Sequence, residues 1–509
     1  MKRLTILLVF ITFLLGIDYR SIPLLRWAGP PGSRPGTYEE WVAKHPDTEF
    51  SHILDKVVYG DGRAGTVAII TEQNIAGSLT SEISQLINNL QSEGYTVLSH
   101  QVSYGTPEAL RNFLQNLYNT NNIEGALFIG LLPPAWFEID DDFNMYGYAT
   151  FPCDLFLMDL NGTWLDTMNT GNGRYDGHTG NIDPEIYIGR LYPYALGSDS
   201  LLLKNYFRKN NAYRHDTLLL QKRALVFVDD DWYPYAGGWA GDVALLYPDT
   251  MNYWDKETTR AAVYRIKLDT TQAWVSVFAH SWPGGHQFVY DSSGSYDYYY
   301  SHEYTNQDPP TNFYNFFACS FSRFTENCGG NRAIFNASSG LGSVGSAKTG
   351  SMLDFDYFYY PLGEGATLGM AFKEWFTYIT HNGVTFDELC WHYGMTLLAD
   401  PYLLPVGHNT SVAETEMDVG PQSILTLRSN PVTSHIDLQL SLEQKADLYI
   451  TLYDCAGRKV KTLSKHMNRG EHCISWQLND HTGNILPPGV YIMKAEIGKE
   501  VITKKIIKI

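Results

Sequence analysis

The sequence predicts an α/β domain built on a mostly parallel sheet flanked by helices, followed by a small all-β sandwich. Three observations predict it. From residue 66 onward, short apolar runs alternate with segments of helical period. Two later apolar runs, Trp274 to Ala279 and Phe313 to Ala318, end on a histidine and a cysteine. After about residue 430 the helical period stops, and short strands are separated by turn residues.

The first α/β stretch opens with Thr66 to Ile70, a run with the continuous apolar character of a buried parallel strand. Ser78 to Ser92 places Ile83, Leu86, Ile87 and Leu90 on one helical face, with Ser78 or Thr80 to cap it and Gly94 to close it. Tyr95 to Leu98 is the next strand. Pro107 to Asn119 is the next helix, with Leu110, Phe113, Leu114 and Leu117 on one side, and Gly125 to Gly130 is a third strand. Residues 133 to 185 are rich in Asp, Asn, Gly and Tyr and read as a surface excursion. There Asp140–Asp142 and Asp159-x-Asn161-Gly162 are candidate oxygen ligands for calcium, set against a reading as solvated turns. Ile186 to Arg190 is a strand and Leu201 to His215 a helix.

A second stretch comes next. Arg223 to Val228, Trp274 to Ala279, Phe313 to Ala318 and Gly340 to Ser346 are strands, Leu368 to Thr380 is a helix, and Phe386 to Leu398 reads as another. The last region gives strands at Ile436 to Leu440, Ala446 to Tyr453, His472 to Leu478, Gly489 to Ile497 and Val501 to Ile507. The expected division is a signal peptide over 1–20, a leader or short pro-segment over 21–60, the α/β domain over 61–412, a linker over 413–429 and the β-sandwich over 430–509.

Charge and composition narrow the function. A net charge of −18 argues against a nucleic-acid partner, which needs a basic surface. Lys2 and Arg3 followed by the uncharged run Leu4 to Leu15 have the form of a signal peptide, and the run is too short for a bilayer helix. Six cysteines are too few and too scattered for a disulfide framework. Cys455 and Cys473, close to neighbouring predicted strands of the last region, are the expected disulfide pair, with two buried free thiols as the alternative. No zinc spacing is present, and His381, Cys390 and His392 do not form a convincing metal set. No cofactor is expected, apart from the calcium candidates.

The chemistry-bearing observation is positional. Ligands of open parallel sheets bind beyond the carboxyl ends of strands. Two neighbouring strands ending on His280 and Cys319 would set an imidazole and a thiol on one rim, the pairing of a cysteine hydrolase. Ser281 and Ser320 come directly after them, and such small residues leave backbone N–H groups free to face an oxyanion.

Six stretches, in order, resemble the gingipain family of cysteine peptidases, whose fold is caspase-like. They are Gly125 to Gly130, Pro184 to Leu191 with its Ile-Gly-Arg, Phe278-Ala-His280, Phe317-Ala-Cys319, Gly342 to Ser346, and Leu398-Ala-Asp-Pro401. The resemblance implies His280 and Cys319 as the catalytic pair, with the N–H groups of Ser281 and Cys319 toward the oxyanion. It also implies an orienting acid after the strand at 224–228, best matched by Asp231, with Asp229 and Asp230 close by. Asp242, eleven residues on, matches the acid of the primary specificity pocket, and Ser346 and Met352 match its wall. A Gly after the catalytic His is usual in that family, and this chain has Ser281. The last 80 residues resemble the C-terminal sorting domains of type IX secretion and FlgD-like, Ig-like sandwiches, through Asn430-Pro431, Leu452 to Arg458, Gly470 to Trp476, Pro488 to Tyr491 and Lys504 to Ile509. Together the two resemblances imply a secreted or cell-surface cysteine endopeptidase. It would act on protein or peptide substrates, favour a basic P1 residue and meet the secretion machinery through its C-terminal domain. The rival is a degenerate peptidase scaffold serving cell-surface binding or adhesion.

Overall fold

The computed structural model describes residues 19–408 except 169 and 291–293, and in the C-terminal region 424–427, 432–442, 445–454, 459–479, 485–497 and 500–508. The apolar run 4–15, most of the expected linker and Cys455 lie outside the described residues. Two compact units divide the chain, Met1–Asn409 and Thr410–Ile509.

In chain order the first unit carries β1 (His52–Val58), β2 (Thr66–Glu72), β3 (Thr96–Val102), β4 (Ile123–Ile129), β5 (Tyr187–Leu191), β6 (Ala224–Val228), β7 (Thr250–Tyr253), β8 (Gln272–Phe278), β9 (His280–Trp282), β10 (Gly285–Val289), β11 (Tyr296–Tyr300), β12 (Thr311–Phe317), β13 (Gly342–Ser346) and β14 (Met395–Ala399). One sheet has the order β1-β3-β2-β4-β5, parallel except for β1. The other has the order β7-β6-β8-β12-β13-β14, parallel except for β14. The inner strands β8 and β12 are buried along their whole length, because helices cover both faces of such a sheet. The small antiparallel sheet β9-β10-β11 rises from the carboxyl end of β8.

The Ile-Gly-Arg and Ala-Asp-Pro motifs are framework. Arg190 of β5 is buried and forms a bidentate pair with Asp154 at 2.6–3.0 Å, and Thr396 donates to the same carboxylate at 2.7 Å. Gly189 has no room for a Cβ, which would lie 2.4 Å from the Ala399 carbonyl, so β5 packs directly on β14. Asp400 accepts from Asn210 and Arg214 at 2.8 and 2.6 Å.

Several expectations are corrected. Neither Ser78 nor Thr80 caps the helix Thr80–Ser92; Leu79 stands at its N-cap, while Gly94 closes it at φ +101. The segment Phe386 to Leu398 is half helix, Phe386–His392, and half strand, β14, because the apolar run 395–399 is needed at the sheet edge. The stretch 133–185 is not a surface excursion. Its strands Trp136–Ile139 and Ala149–Pro152 pair, and Phe137, Phe151 and Leu155–Met158 are buried. Asp159 is also buried there, accepting from Asn161, Gly162 and Trp164, and Asp142 pairs with Lys348 at 2.8 Å. Neither is a solvated turn.

The second unit holds β15 (Ile424–Leu427), β16 (His435–Leu442), β17 (Ala446–Asp454), β18 (Lys459–Met467), β19 (Gly470–Gln477), β20 (Gly489–Ile497) and β21 (Glu500–Lys508). They form two antiparallel sheets, β15-β16-β19 and β18-β17-β20-β21, with Ile436, Leu438 and Leu440 alternating inward against Leu448, Ile450 and Leu452. Two strands escape the sequence pattern. β15 falls in the expected linker. β18 carries Lys459, Lys461 and Lys465 at a sheet edge, where charge blocks further pairing and hides the apolar alternation.

Candidate functional site

The sheet register places the expected pair at one level. Phe278 of β8 lies opposite Phe317 of β12, and His280 and Cys319 each come two residues later. Asp231 comes from the turn Asp230–Trp232, immediately after β6, the other neighbour of β8. Its Oδ2 lies 2.7 Å from His280 Nε2. The hydrogen bond to His280 is the largest influence on this carboxyl and holds it below its usual range. Of the three consecutive acids only Asp231 serves the ring. Asp229 accepts the N–H groups of Asp231 and Val289, and Asp230 pairs with Lys256 at 3.2 Å.

The imidazole is 1 % exposed. Burial lowers its pKa first, and the Arg26 guanidinium lowers it further against the opposing pull of Asp231. The Trp232 ring packs 4.7 Å from it, centroid to centroid, and fixes its tilt. Cys319 is 0 % exposed. Burial pushes its thiol up to about 12, against hydrogen bonds from the Thr349 side chain and the Gly350 backbone. Burial thus disfavours the charged form of both groups in this covered state.

What covers the imidazole is the leader. Tyr19 donates to Asp354 at 2.5 Å, Tyr235 to the Ser21 carbonyl at 2.6 Å, and Trp232 to the Pro23 carbonyl at 2.8 Å. Arg26 donates its backbone N–H to His280 Nδ1 at 3.1 Å, which leaves the ring proton on Nε2 for Asp231. Its guanidinium lies 2.9 Å from that Nε2, 3.5 Å from Asp231 Oδ2 and 3.0 Å from Gln287 Oε1. Trp27 pairs in parallel with Ser281, and Ala28 donates to the Ser281 carbonyl at 3.1 Å, so the leader adds a strand to β9. Farther on, Arg34 to Thr37 wall a cavity of about 400 Å³ whose other side includes Ser320, Lys348 and Thr349. Arg323 and Glu326 hold Gly36 there by its carbonyl and its N–H.

The other sequence candidates are dispersed. Ser281 lies in β9 outside the positive-φ set, and its hydroxyl bonds the Ala279 carbonyl and His286 Nδ1 beneath the sheet. His286 sits on that buried face, held neutral by burial with its pKa down at about 3. Ser320 takes φ +52, and its N–H is bonded to the Lys348 carbonyl, so it does not face an oxyanion as expected. Asp242 is on the helix Tyr233–Val243, where burial first, then Asp356 and Asp354, raise its pKa to about 7. Ser346 accepts the Lys348 N–H, and Met352 packs in the core beside Asn315. His381 pairs with Asp183 on the surface, while His392 is buried against the Ser351 carbonyl. Sequence reasoning missed Arg26, Gln287 and Tyr146. The leader's Pro and Gly residues marked it as extended chain, but nothing in its composition says where it docks.

An acid-oriented imidazole and a thiol at the carboxyl ends of adjacent parallel strands define the class of an α/β cysteine hydrolase. The chain belongs to peptidase family C25, whose sequence model matches residues 61–405. Residues 429–509 match the secretion system C-terminal sorting domain, that of type IX export, so the protein is a secreted or cell-surface member of a cysteine peptidase family. No helix among the described residues is long and apolar enough to cross a membrane. The chain is similar to the complex of the pro- and mature domains of RgpB from Porphyromonas gingivalis, at 12% identity and a TM-score of 0.46, covering 87% of this chain and 100% of that one. It is also similar to dimeric latent PorU of Porphyromonas gingivalis (21% identity, TM-score 0.17, 18% of this chain and 9% of that chain). FlgD of P. aeruginosa is similar at 20% identity and a TM-score of 0.14, over 17% of this chain and 71% of that chain. No curated protein sequence matches the chain.

Proposed function

We propose that the protein is a cysteine endopeptidase in which Cys319 attacks the substrate carbonyl, His280 moves the proton and Asp231 orients the ring. The observation that carries this reading is the common level of His280 and Cys319 on adjacent strands, with Asp231 bonded to the imidazole. Peptide-bond hydrolysis through a thioester needs a nucleophile, a proton carrier and an orienting acid, and these three side chains are of the required types. The N–H groups at Cys319 and Ser281 are the backbone donors assigned to the oxyanion. The site is in a covered form, with Arg26 on the imidazole and the sulfur out of solvent. Removal of the leader frees the Nδ1 that the proton transfer uses.

The second reading, a peptidase scaffold kept for binding, is favoured by the closed thiol. The Gly-to-Ser departure at 281 gives it no support, since that residue has ordinary strand geometry. Arg26→Asp separates the two by setting a carboxylate against Asp231 and expelling the leader. In full-length Arg26→Asp protein, a thiol-reactive peptide probe is expected to label Cys319, peptides are expected to be cleaved, and adding Cys319→Ala abolishes both. A thiol that stays unlabelled, or cleavage that survives Cys319→Ala, defeats the peptidase reading.

A further inference from the structure

The leader does more than cover the site, because both polar atoms of one of its peptide units meet catalytic-type groups. The nitrogen of Arg26 donates to His280 Nδ1 at 3.1 Å. The carbonyl oxygen of Leu25, across the same amide, accepts the Tyr146 hydroxyl at 2.9 Å. Tyr146 is itself near the nucleophile: after burial, Cys319 is the largest influence on its phenol, and Arg26 acts on it too. Amide hydrolysis needs a proton carrier beside the leaving nitrogen and a donor on the carbonyl oxygen. The Leu25–Arg26 unit has one of each.

The flanking side chains then mark subsites. Leu25 is 1 % exposed, so the residue before this bond fills an enclosed apolar place. Arg26 projects onto the opposite surface of the extended sheet. In the register, His280 lies opposite Gln287 and Gln287 opposite Tyr298, while Trp282, Gly285 and Tyr300 form the next row. One face therefore carries the imidazole, Gln287, Trp282 and the tyrosines at 296, 298 and 300. The Tyr298 and Tyr300 rings stack at 5.8 Å, and Trp282 meets both edge-on. Gln287 accepts from Arg26 and donates to Tyr298 at 3.1 Å. Beyond it Tyr300 is 43 % exposed, so the platform runs out from the covered imidazole to solvent. Aromatic faces attract cations, and an amide oxygen beside them fixes a guanidinium.

We propose that the leader lies as a substrate does, with Leu25–Arg26 as the bond presented to Cys319. The cleft then takes an apolar residue before the scissile bond and a basic residue after it, the latter read by Gln287, whose amide is held by the Tyr298 hydroxyl. This rests on the peptidase reading above and moves the basic preference across the bond from the side that the family resemblance implies. In the step, the Cys319 sulfur bonds to the carbonyl carbon while its proton goes to His280 Nδ1. Tyr146 donates to the oxyanion. The C–N bond breaks as Nδ1 returns the proton to the leaving nitrogen, and water then hydrolyses the thioester to a carboxylic acid and the free thiol.

Cleavage-site mapping by mass spectrometry on a peptide library, with full-length Arg26→Asp protein, tests it. Leu-Arg peptides are expected to be cut between the two residues, roughly tenfold better than peptides with Ala in place of Arg. Gln287→Leu removes about that tenfold preference, and Gln287→Glu enlarges it. Tyr146→Phe lowers kcat on the order of 10²-fold with little change in KM. Cleavage after Arg instead of before it, or an Arg-over-Ala ratio that neither Gln287 variant moves, overturns this inference and leaves the peptidase intact. No hydrolysis at all, with Cys319 labelled as readily as any exposed thiol, removes the peptidase reading and this one with it.

Discussion

The two sheets of the first unit share an architecture, yet polar residues at their strand ends have opposite fates. In the first sheet, β5 delivers Arg190, whose guanidinium is closed off by Asp154 and by the rings of Phe128 and Phe324. In the second, the chain leaving β8 delivers His280, whose Nε2 is met by Asp231 of the framework but whose Nδ1 is met by the leader. A polar side chain whose partners all belong to the framework is structure, and the proposed chemistry falls on the one whose remaining valence is met by the leader.

The largest effect that tests this contrast belongs to the closed pair. Arg190→Met strands a buried carboxylate and is expected to cost about 3–5 kcal/mol, read as a lower urea midpoint. A midpoint within error of wild type would show that Asp154 was never an enclosed charge. Asp231→Asn is the matching change on the open side. It leaves the ring without an anionic orienter, so kcat/KM in the Arg26→Asp background should fall on the order of 10²-fold. Its fold should hold, because the Asp231 side chain is already 38% exposed. Unfolding of Asp231→Asn as severe as that of Arg190→Met would erase the distinction.

Much of this contrast was legible in the sequence. The apolar runs 274–279 and 313–318 mark fully buried strands, and chemistry at their carboxyl ends is a consequence of parallel-sheet geometry alone. The Ile-Gly-Arg run was the most recognisable family motif, but its role is a buried ion pair with Asp154, a residue that composition assigns to a surface loop. The leader's docking was illegible because backbone groups make much of it: the Arg26 N–H, the Leu25 carbonyl and both polar atoms of Gly36. Backbone donors leave no residue-type signature. Side-chain partners scattered over residues 146, 232, 235 and 323 come together only in three dimensions.

Ser281 sharpens the comparison at a smaller scale. The resemblance marked it as a departure, since a Gly is usual there. In the fold its hydroxyl satisfies His286 Nδ1 at 2.8 Å inside the buried face, so it belongs with the closed groups. Ser281→Gly, the change toward the family pattern, should lose about 1–3 kcal/mol through the unpaired imidazole nitrogen. It should not raise kcat in the Arg26→Asp background. A gain in kcat would mean that the backbone at 281 needs a freedom that serine withholds.

Asp242 gives the smallest and most specific test. It lies between the two classes, part-buried, with acids and no cation as its main charged influences: burial, then Asp356 and Asp354, bring its pKa to about 7. A carboxyl whose folded pKa is raised above the unfolded value contributes stability that is full below about pH 4 and lost as pH rises through about 7. Above that range the wild type holds an anion that the fold disfavours. Asp242→Asn removes it, so the variant should gain a few degrees in Tm, about 2–4 °C, at pH 8 and less than half of that at pH 5. If the acid instead reads a basic side chain before the scissile bond, the same variant would lose cleavage after Arg and Lys selectively. Scanning calorimetry at the two pH values, with library profiling of Asp242→Asn in the Arg26→Asp background, assigns the carboxylate to one role. A selective loss would return the basic preference to P1 and take the apolar subsite away from Leu25.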